Sequence, residues 1–173
     1  MLIRRRKHTF VSIDEPLEAD DQERMPVQIV DWCCLPEFDS SSVFARLLDE
    51  HSGGRFEILT DDSYTITQRY KRDTALLITR YCNGKDTFEV RDFMPRYRKP
   101  NGSYHAPPEI VRYIRLVQGE PVFRVGYDPR LEYAQGVTEN YVKHGFVVSL
   151  NQGRQYDTVF LYTSFNKNAV MEG

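Results

Sequence analysis

From Val27 onward, apolar and polar positions exchange every second residue through a series of short segments. Phe56 and Ile58 alternate with polar neighbours in RFEIL. Tyr64, Ile66 and Gln68 share one face of SYTITQRY, with Thr65, Thr67 and Arg69 on the other, and Phe88 and Val90 share a face of DTFEVRDF. A period of two places successive side chains on opposite faces of an extended strand, so each segment predicts a strand with one face toward a core. VQIVDWCCLP is more evenly apolar, as a buried strand is, and runs into a loop at Pro36. Asn83-Gly84-Lys85 separates ALLITRY from DTFEVRDF and is a strong hairpin signal. Residues 95–108 (PRYRKPNGSYHAPP) form a long Pro/Gly/Asn-rich loop. EIVRYIRLVQ, the Gly119-Glu120-Pro121 turn, VFRVGYDPRLEYA, NYVKHGFVVSL and TVFLYTSF follow. Turn signals about every ten residues, with no helices interleaved, predict an antiparallel sandwich or barrel.

One segment breaks the rhythm. In EFDSSSVFARLLDEHSGG, Ser40, Ser41 and Ser42 offer an N-cap. Val43 and Leu47, and Phe44 and Leu48, are i, i+4 pairs, and Gly53 or Gly54 can stop a helix. This predicts one short helix. The first 26 residues differ again. Arg4-Arg5-Arg6-Lys7 is followed by an acidic stretch, DEPLEADDQERMP, instead of an apolar run. No secretory signal is therefore expected, and the segment reads as a charged N-terminal arm (1–26) ahead of the β-sandwich domain (27–173).

Composition narrows the function classes. The chain has 173 residues, 23 Lys plus Arg against 25 Asp plus Glu, 40% hydrophobic content, 11 Tyr and 10 Phe. This is enough for one domain with a buried core, and the aromatic load suits pleated surfaces. The net charge of −2 argues against a nucleic-acid partner. No apolar run approaches the roughly 20 residues of a membrane helix, so no membrane partner is expected. Three cysteines, two of them adjacent (Cys33, Cys34), make neither a disulfide framework nor a zinc site and fit a reduced, cytoplasmic setting.

Candidate chemistry is sparse. His8, His51, His105 and His144 show no ligand spacing, so no metal is expected. There is no phosphate loop, dinucleotide fingerprint or nucleophile elbow, so no cofactor is expected either. Asp31, Asp39, Asp73, Asp92 and Asp128 fall near strand ends, where an acid and a base for glycoside hydrolysis would have to converge. Asp is also an ordinary turn residue. Arg91 and Asp92 suggest a cross-strand ion pair, worth under about 1 kcal/mol if exposed.

The most specific local signal is Asp31-Trp32-Cys33-Cys34-Leu35-Pro36-Glu37-Phe38-Asp39-Ser40-Ser41-Ser42-Val43-Phe44. It resembles the opening of the N-terminal domain of bacterial glucoamylase-like and trehalase-like proteins of glycoside hydrolase family 15. Four further blocks keep the family's order: Gly53-Gly54-Arg55-Phe56; Gln68-Arg69-Tyr70 with Asp73-Thr74-Ala75-Leu76-Leu77; Val90-Arg91-Asp92-Phe93-Met94-Pro95; and Ile110 to Tyr133. The family's lead-in hairpin has no counterpart in residues 19–32. Glu37 replaces its Arg, and Lys71-Arg72 replaces its Leu-Pro. The resemblance implies a β-sandwich of two large antiparallel sheets. It also implies a non-catalytic domain that packs on a catalytic α/α barrel, in cis or in trans, absent from this chain. The family's catalytic glutamates lie in that barrel, so no catalytic residue is carried over.

On this reading Trp32, Pro36, Phe38 and Asp39 form a barrel-facing or sugar-site loop. Phe38 either meets the barrel or tucks under the short helix. The rival readings are a stand-alone module for α-glucan or another oligosaccharide, and a homo-oligomer formed through exposed sheet edges.

Overall fold

A computed structural model of the chain describes residues 2–5, 27–152 and 154–166, with side chains from 28 to 152 and from 158 to 166. The strands, in chain order, are β1 (Leu2–Arg5), β2 (Val27–Val30), β3 (Cys33–Cys34), β4 (Ser42–Phe44), β5 (Arg55–Leu59), β6 (Thr65–Tyr70), β7 (Leu77–Cys82) and β8 (Thr87–Phe93). They continue with β9 (Tyr97–Arg98), β10 (Tyr104–His105), β11 (Glu109–Gln118), β12 (Arg124–Asp128), β13 (Thr138–Lys143), β14 (Phe146–Asn151) and β15 (Arg154–Tyr162). Eight of them form one sheet in the order β13-β14-β15-β1-β11-β8-β7-β6. A three-stranded sheet, β12-β5-β2, packs against its inner face, and β3-β4 and β9-β10 are two-stranded ribbons. Every pairing is antiparallel. The architecture is the all-β sandwich the alternation predicts.

The predicted hairpin is present. Asn83 turns β7 into β8 by accepting the Lys85 and Asp86 N–H groups on its side-chain oxygen, with Gly84 at φ 86°. The short-helix expectation is corrected. Residues 43–48 do not form a helix. Val43 and Phe44 belong to β4, where Phe44 pairs with Cys33, and the chain then folds through single turns to Gly53. Strand pairing buries Val43 and Phe44 completely, a stronger demand than the helical spacing of their neighbours. Among the described residues the one helical segment is the short turn Glu132–Ala134. Arg4 and Arg5, within the expected charged arm, have backbone positions in a strand. They lie in β1, which fills the gap between β11 and β15 and so completes both ladders. Residues 6–26, with the acidic stretch and His8, lie outside the described residues.

The core has two adjoining halves. Phe44, Phe56 and Tyr127 pack ring to ring against Val147, Val159 and Leu161. Ile58 packs against Tyr64, Tyr81, Phe88 and Val90, with Tyr81 and Phe88 stacked at 4.4 Å. Polar ties cross between the sheets at two points. Arg112, fully buried on β11, donates from Nε and Nη2 to the two oxygens of Asp92 at 3.0 and 3.1 Å. Its Nη1 donates to the Phe56 carbonyl across the sandwich at 2.7 Å. Gln28 of β2 donates to Asp92 from the same side, and the guanidinium lies 4.5 Å from the Phe56 ring centre. At the other end, Tyr127 Oη and Ser149 Oγ are 3.2 Å apart, and Ser149 donates to Asn140 at 2.6 Å. Burial pushes the Tyr81 and Tyr127 phenols up, so both stay protonated. The expected Arg91–Asp92 pair is also corrected. Neighbours in a strand point to opposite faces, so Asp92 faces inward to Arg112 while Arg91 faces outward.

On the outer face Arg91 donates to Glu89 at 2.8 Å, and Arg80 and Arg115 stand 3.7 and 3.8 Å from the same carboxylate. Glu89 is only 6% exposed. The Arg91 hydrogen bond first, then the charges of Arg91, Arg115 and Arg80, hold its carboxyl below the usual glutamate range against the opposing effect of burial. A lowered folded pKa means stability that is full above the unfolded pKa of about 4.3 and lost as pH falls through the lower folded value. Glu89→Gln is therefore expected to destabilise by about 1 kcal/mol at pH 7 and to flatten the acid-side loss of stability. Urea titrations of both proteins between neutral pH and pH 3 check this. Parallel pH profiles would contradict it.

Candidate functional site

The predicted loop lies at one end of the sandwich, and the structure assembles a site around it. β3 delivers Leu35 into the core, and the chain leaves through a cis Leu35–Pro36 bond. Residues 37–40 then form a tight turn. Ser40 N donates to the Glu37 carbonyl, and Ser40 Oγ accepts the Glu37 N–H, each at 3.0 Å. Ser40 thus braces a turn instead of capping a helix. Phe38 sits on this turn 72% exposed, and Asp39 beside it is exposed too. With no helix to cover it, the inward alternative for Phe38 falls away.

A second wall comes from residues 45–54. Ala45 donates to the Gly53 carbonyl at 2.7 Å, Gly53 donates to the Asp49 carbonyl at 2.9 Å, and Leu47 donates to the Asp31 carbonyl at 3.1 Å. These bonds close the loop and turn Leu47 and Leu48 outward, 66% and 68% exposed. Asp49 Oδ1 accepts the N–H groups of Ser52 and His51, and those bonds, Ser52 first, hold the carboxyl below its usual range.

The third wall is the turn Glu132–Ala134. Arg130 N donates to the Val43 carbonyl at 2.9 Å and Leu131 is fully buried, which anchors the turn against β4. Glu132, Tyr133 and Ala134 all take left-handed backbone angles, φ 54°, 55° and 58°. For residues with a Cβ this costs roughly 1–2 kcal/mol each. Asn151 donates to the Glu132 carboxylate at 3.2 Å and so helps hold the conformation. It brings Tyr133 to Trp32, ring centres 6.5 Å apart, with the Tyr133 hydroxyl 3.5 Å from the Ser40 carbonyl. Ala45, Leu48, Asp49, Ser52, Gly53, Tyr133 and Ala134 enclose a shallow cleft of about 290 Å³.

Of the four predicted residues, Trp32 is half-buried against Tyr133, Pro36 is half-buried at the start of the turn, and Phe38 and Asp39 are exposed on it. The sequence reading missed Leu47, Leu48 and Tyr133. The two leucines looked like the inner face of a helix, and Tyr133 had no signal beyond its aromatic type. Hydrolysis of a glycosidic bond needs two carboxyl groups about 5–9.5 Å apart in contrasting protonation states. The cleft holds Asp49, kept ionised, and the scattered aspartates have separate settings. Asp92 pairs with Arg112, Asp128 with Arg130 at 3.0 Å, and Asp73 with Arg72 on the surface. Among the described residues no three His, Cys, Asp or Glu side chains gather as a metal site, and no helix is long and apolar enough to cross a membrane. The arrangement places aromatic and aliphatic side chains on braced loops around the cleft, with the Asp49 carboxylate on its lining.

Residues 25–152 match the family described as trehalase-like, N-terminal. The chain is 33% identical over 124 residues to a trehalase of Thermoplasma acidophilum, covering 69% of this chain and 21% of that protein. It is 33% identical over 129 residues to the trehalase of Thermoplasma volcanium, covering 71% and 20%. Trehalase 2 of Sulfolobus acidocaldarius is 29% identical over 104 residues, 60% of this chain and 16% of the relative. The chain thus spans about a fifth of the length of these two Thermoplasma relatives. No solved structure matches.

Proposed function

Because this chain belongs to the trehalase-like, N-terminal domain family, we propose that it is the non-catalytic β-sandwich domain of a glycoside hydrolase of the family 15 type. In this reading it packs in cis on a catalytic α/α barrel that hydrolyses an α-glucoside, in a cytoplasmic protein. The observation that carries the reading is the end of the sandwich where Phe38, Leu47 and Leu48, each about two-thirds exposed or more, stand beside Trp32 and Tyr133 on hydrogen-bonded loops. Large apolar side chains held in water by braced loops mark a surface with a partner. A cleft with one ionised carboxylate supports binding over bond cleavage.

Reading the gene downstream of codon 173 tests the first part. A frame that continues into several hundred helical residues supports the proposal, and a stop codon removes it. In the continuous protein, Phe38→Asp with Leu48→Asp is expected to lower trehalose hydrolysis at least about tenfold, since loss of interface anchors of this kind costs 2 kcal/mol or more. The melting temperature of the isolated 173-residue chain should hardly move. Activity equal to that of the parent would place the interface elsewhere. The isolated chain is expected to release no glucose from trehalose.

A further inference from the structure

The outer face of β6, β7, β8 and β11 carries a concentration of positive charge that the barrel-docking reading does not use. The strand register sets two adjacent rows across it. One row reads Thr67, Arg80, Glu89, Arg115, and the next reads Arg69, Ile78, Arg91, Tyr113. Four arginines and one glutamate therefore occupy two rows of a chain whose net charge is −2. All eight face away from the core, because Tyr81, Phe88 and Val90, at the alternate positions, fill it. Arg80 and Arg115 are about half-exposed at the side chain, and Tyr113 is exposed.

We propose that this face docks an extended acidic polypeptide segment. The focus where three guanidinium groups converge is already occupied by the Glu89 carboxylate, at 2.8, 3.7 and 3.8 Å. A compact anion such as phosphate finds that focus filled. What remains are the outward edges of the arginine forks, spread over rows about 6.8 Å apart and strands about 4.8 Å apart. Alternate side chains of an extended peptide repeat at the same spacing of about 6.8 Å, so acidic residues at every second position meet successive rows. Tyr113, exposed in the second row, gives the peptide an apolar contact beside the charges. Single-stranded nucleic acid fits less well. Its bases need a series of aromatic platforms, and these rows offer one ring.

The test is a fluorescently labelled peptide alternating glutamate and serine, titrated against the whole chain at low salt. Binding in the micromolar range is expected. It should weaken at least about tenfold in the double variant Arg80→Gln, Arg115→Gln, and fade as ionic strength rises past about 0.15 M. Both side chains are half in solvent, and a melting curve of the variant, folded at the titration temperature, separates lost binding from lost fold. No binding at low salt overturns the proposal, as does equal binding by the variant. Tighter binding of an oligonucleotide or of inorganic tetrapolyphosphate than of the peptide overturns the assignment to polypeptide.

Discussion

Asp92→Ala is expected to cost roughly 3–5 kcal/mol, the cost of leaving a buried charge without its partner. Arg112 is fully buried. Its fork closes on both Asp92 oxygens, and its third contact is the Phe56 carbonyl in the opposite sheet. Removing the carboxylate strands the guanidinium in the core and releases Gln28, which holds β2 to the same group. Against a total stability of about 5–15 kcal/mol for a domain this size, the loss brings the sandwich near its unfolding threshold. Urea denaturation of the purified chain measures it. The double variant Asp92→Leu, Arg112→Met separates two accounts of the pair. If the pair serves register more than stability, the double variant recovers most of the loss, because an apolar pair of similar volume avoids desolvating two charges. If it stays as unstable as the single variant, the tie to the Phe56 carbonyl carries the energy. A single variant within about 1 kcal/mol of the parent would show that water reaches Arg112 in solution.

Gly54→Ala is the second large expected effect, roughly 2–5 kcal/mol, from left-handed strain added to overpacking. Gly54 sits at φ 72°, and a Cβ there would lie 2.5 Å from the Asp128 carbonyl oxygen and 2.9 Å from the Arg130 nitrogen. Those are backbone atoms of the segment that leads from β12 to the Glu132–Ala134 turn, so relief requires moving one wall of the cleft. Gly84→Ala is the control. Its φ is 86°, but a Cβ there meets nothing within 4 Å, so it bears the strain alone and is expected to lose only about 1 kcal/mol. Thermal melts of the two variants should differ by several degrees. Equal melts would mean that the 129–134 segment yields at little cost.

Much of the fold was legible in the sequence because its signals are local. The Asn83-Gly84 turn, the alternation of β6 and β8, and the turn at Gly119 each rest on backbone geometry within a few residues. The helix reading of residues 43–48 failed for a related reason. Val43, Phe44, Leu47 and Leu48 satisfy a helical period, but Cys33 supplies Phe44 with a strand partner that no window around residue 44 contains. The buried end of that segment became β4, and the outward end became the exposed leucines of the site. The sequence singled out the candidate loop through Trp32 to Asp39. Tyr133, about a hundred residues later, became visible only when Arg130 docked on Val43.

By itself the sequence determined the all-β class, most strand positions and the family. All of these follow from periodicity, turn chemistry and motif order along the chain. Only the tertiary structure decided that Arg112 is an internal cation bridging two sheets, that Asp92 turns inward while Arg91 turns outward beside Glu89, and that Leu2–Arg5 completes the large sheet. The physical reason is that a charge or a short apolar run has no preferred partner until distant strands fix what faces it. Burial and pairing are properties of the assembled sheets, and the linear pattern only limits which of them can form.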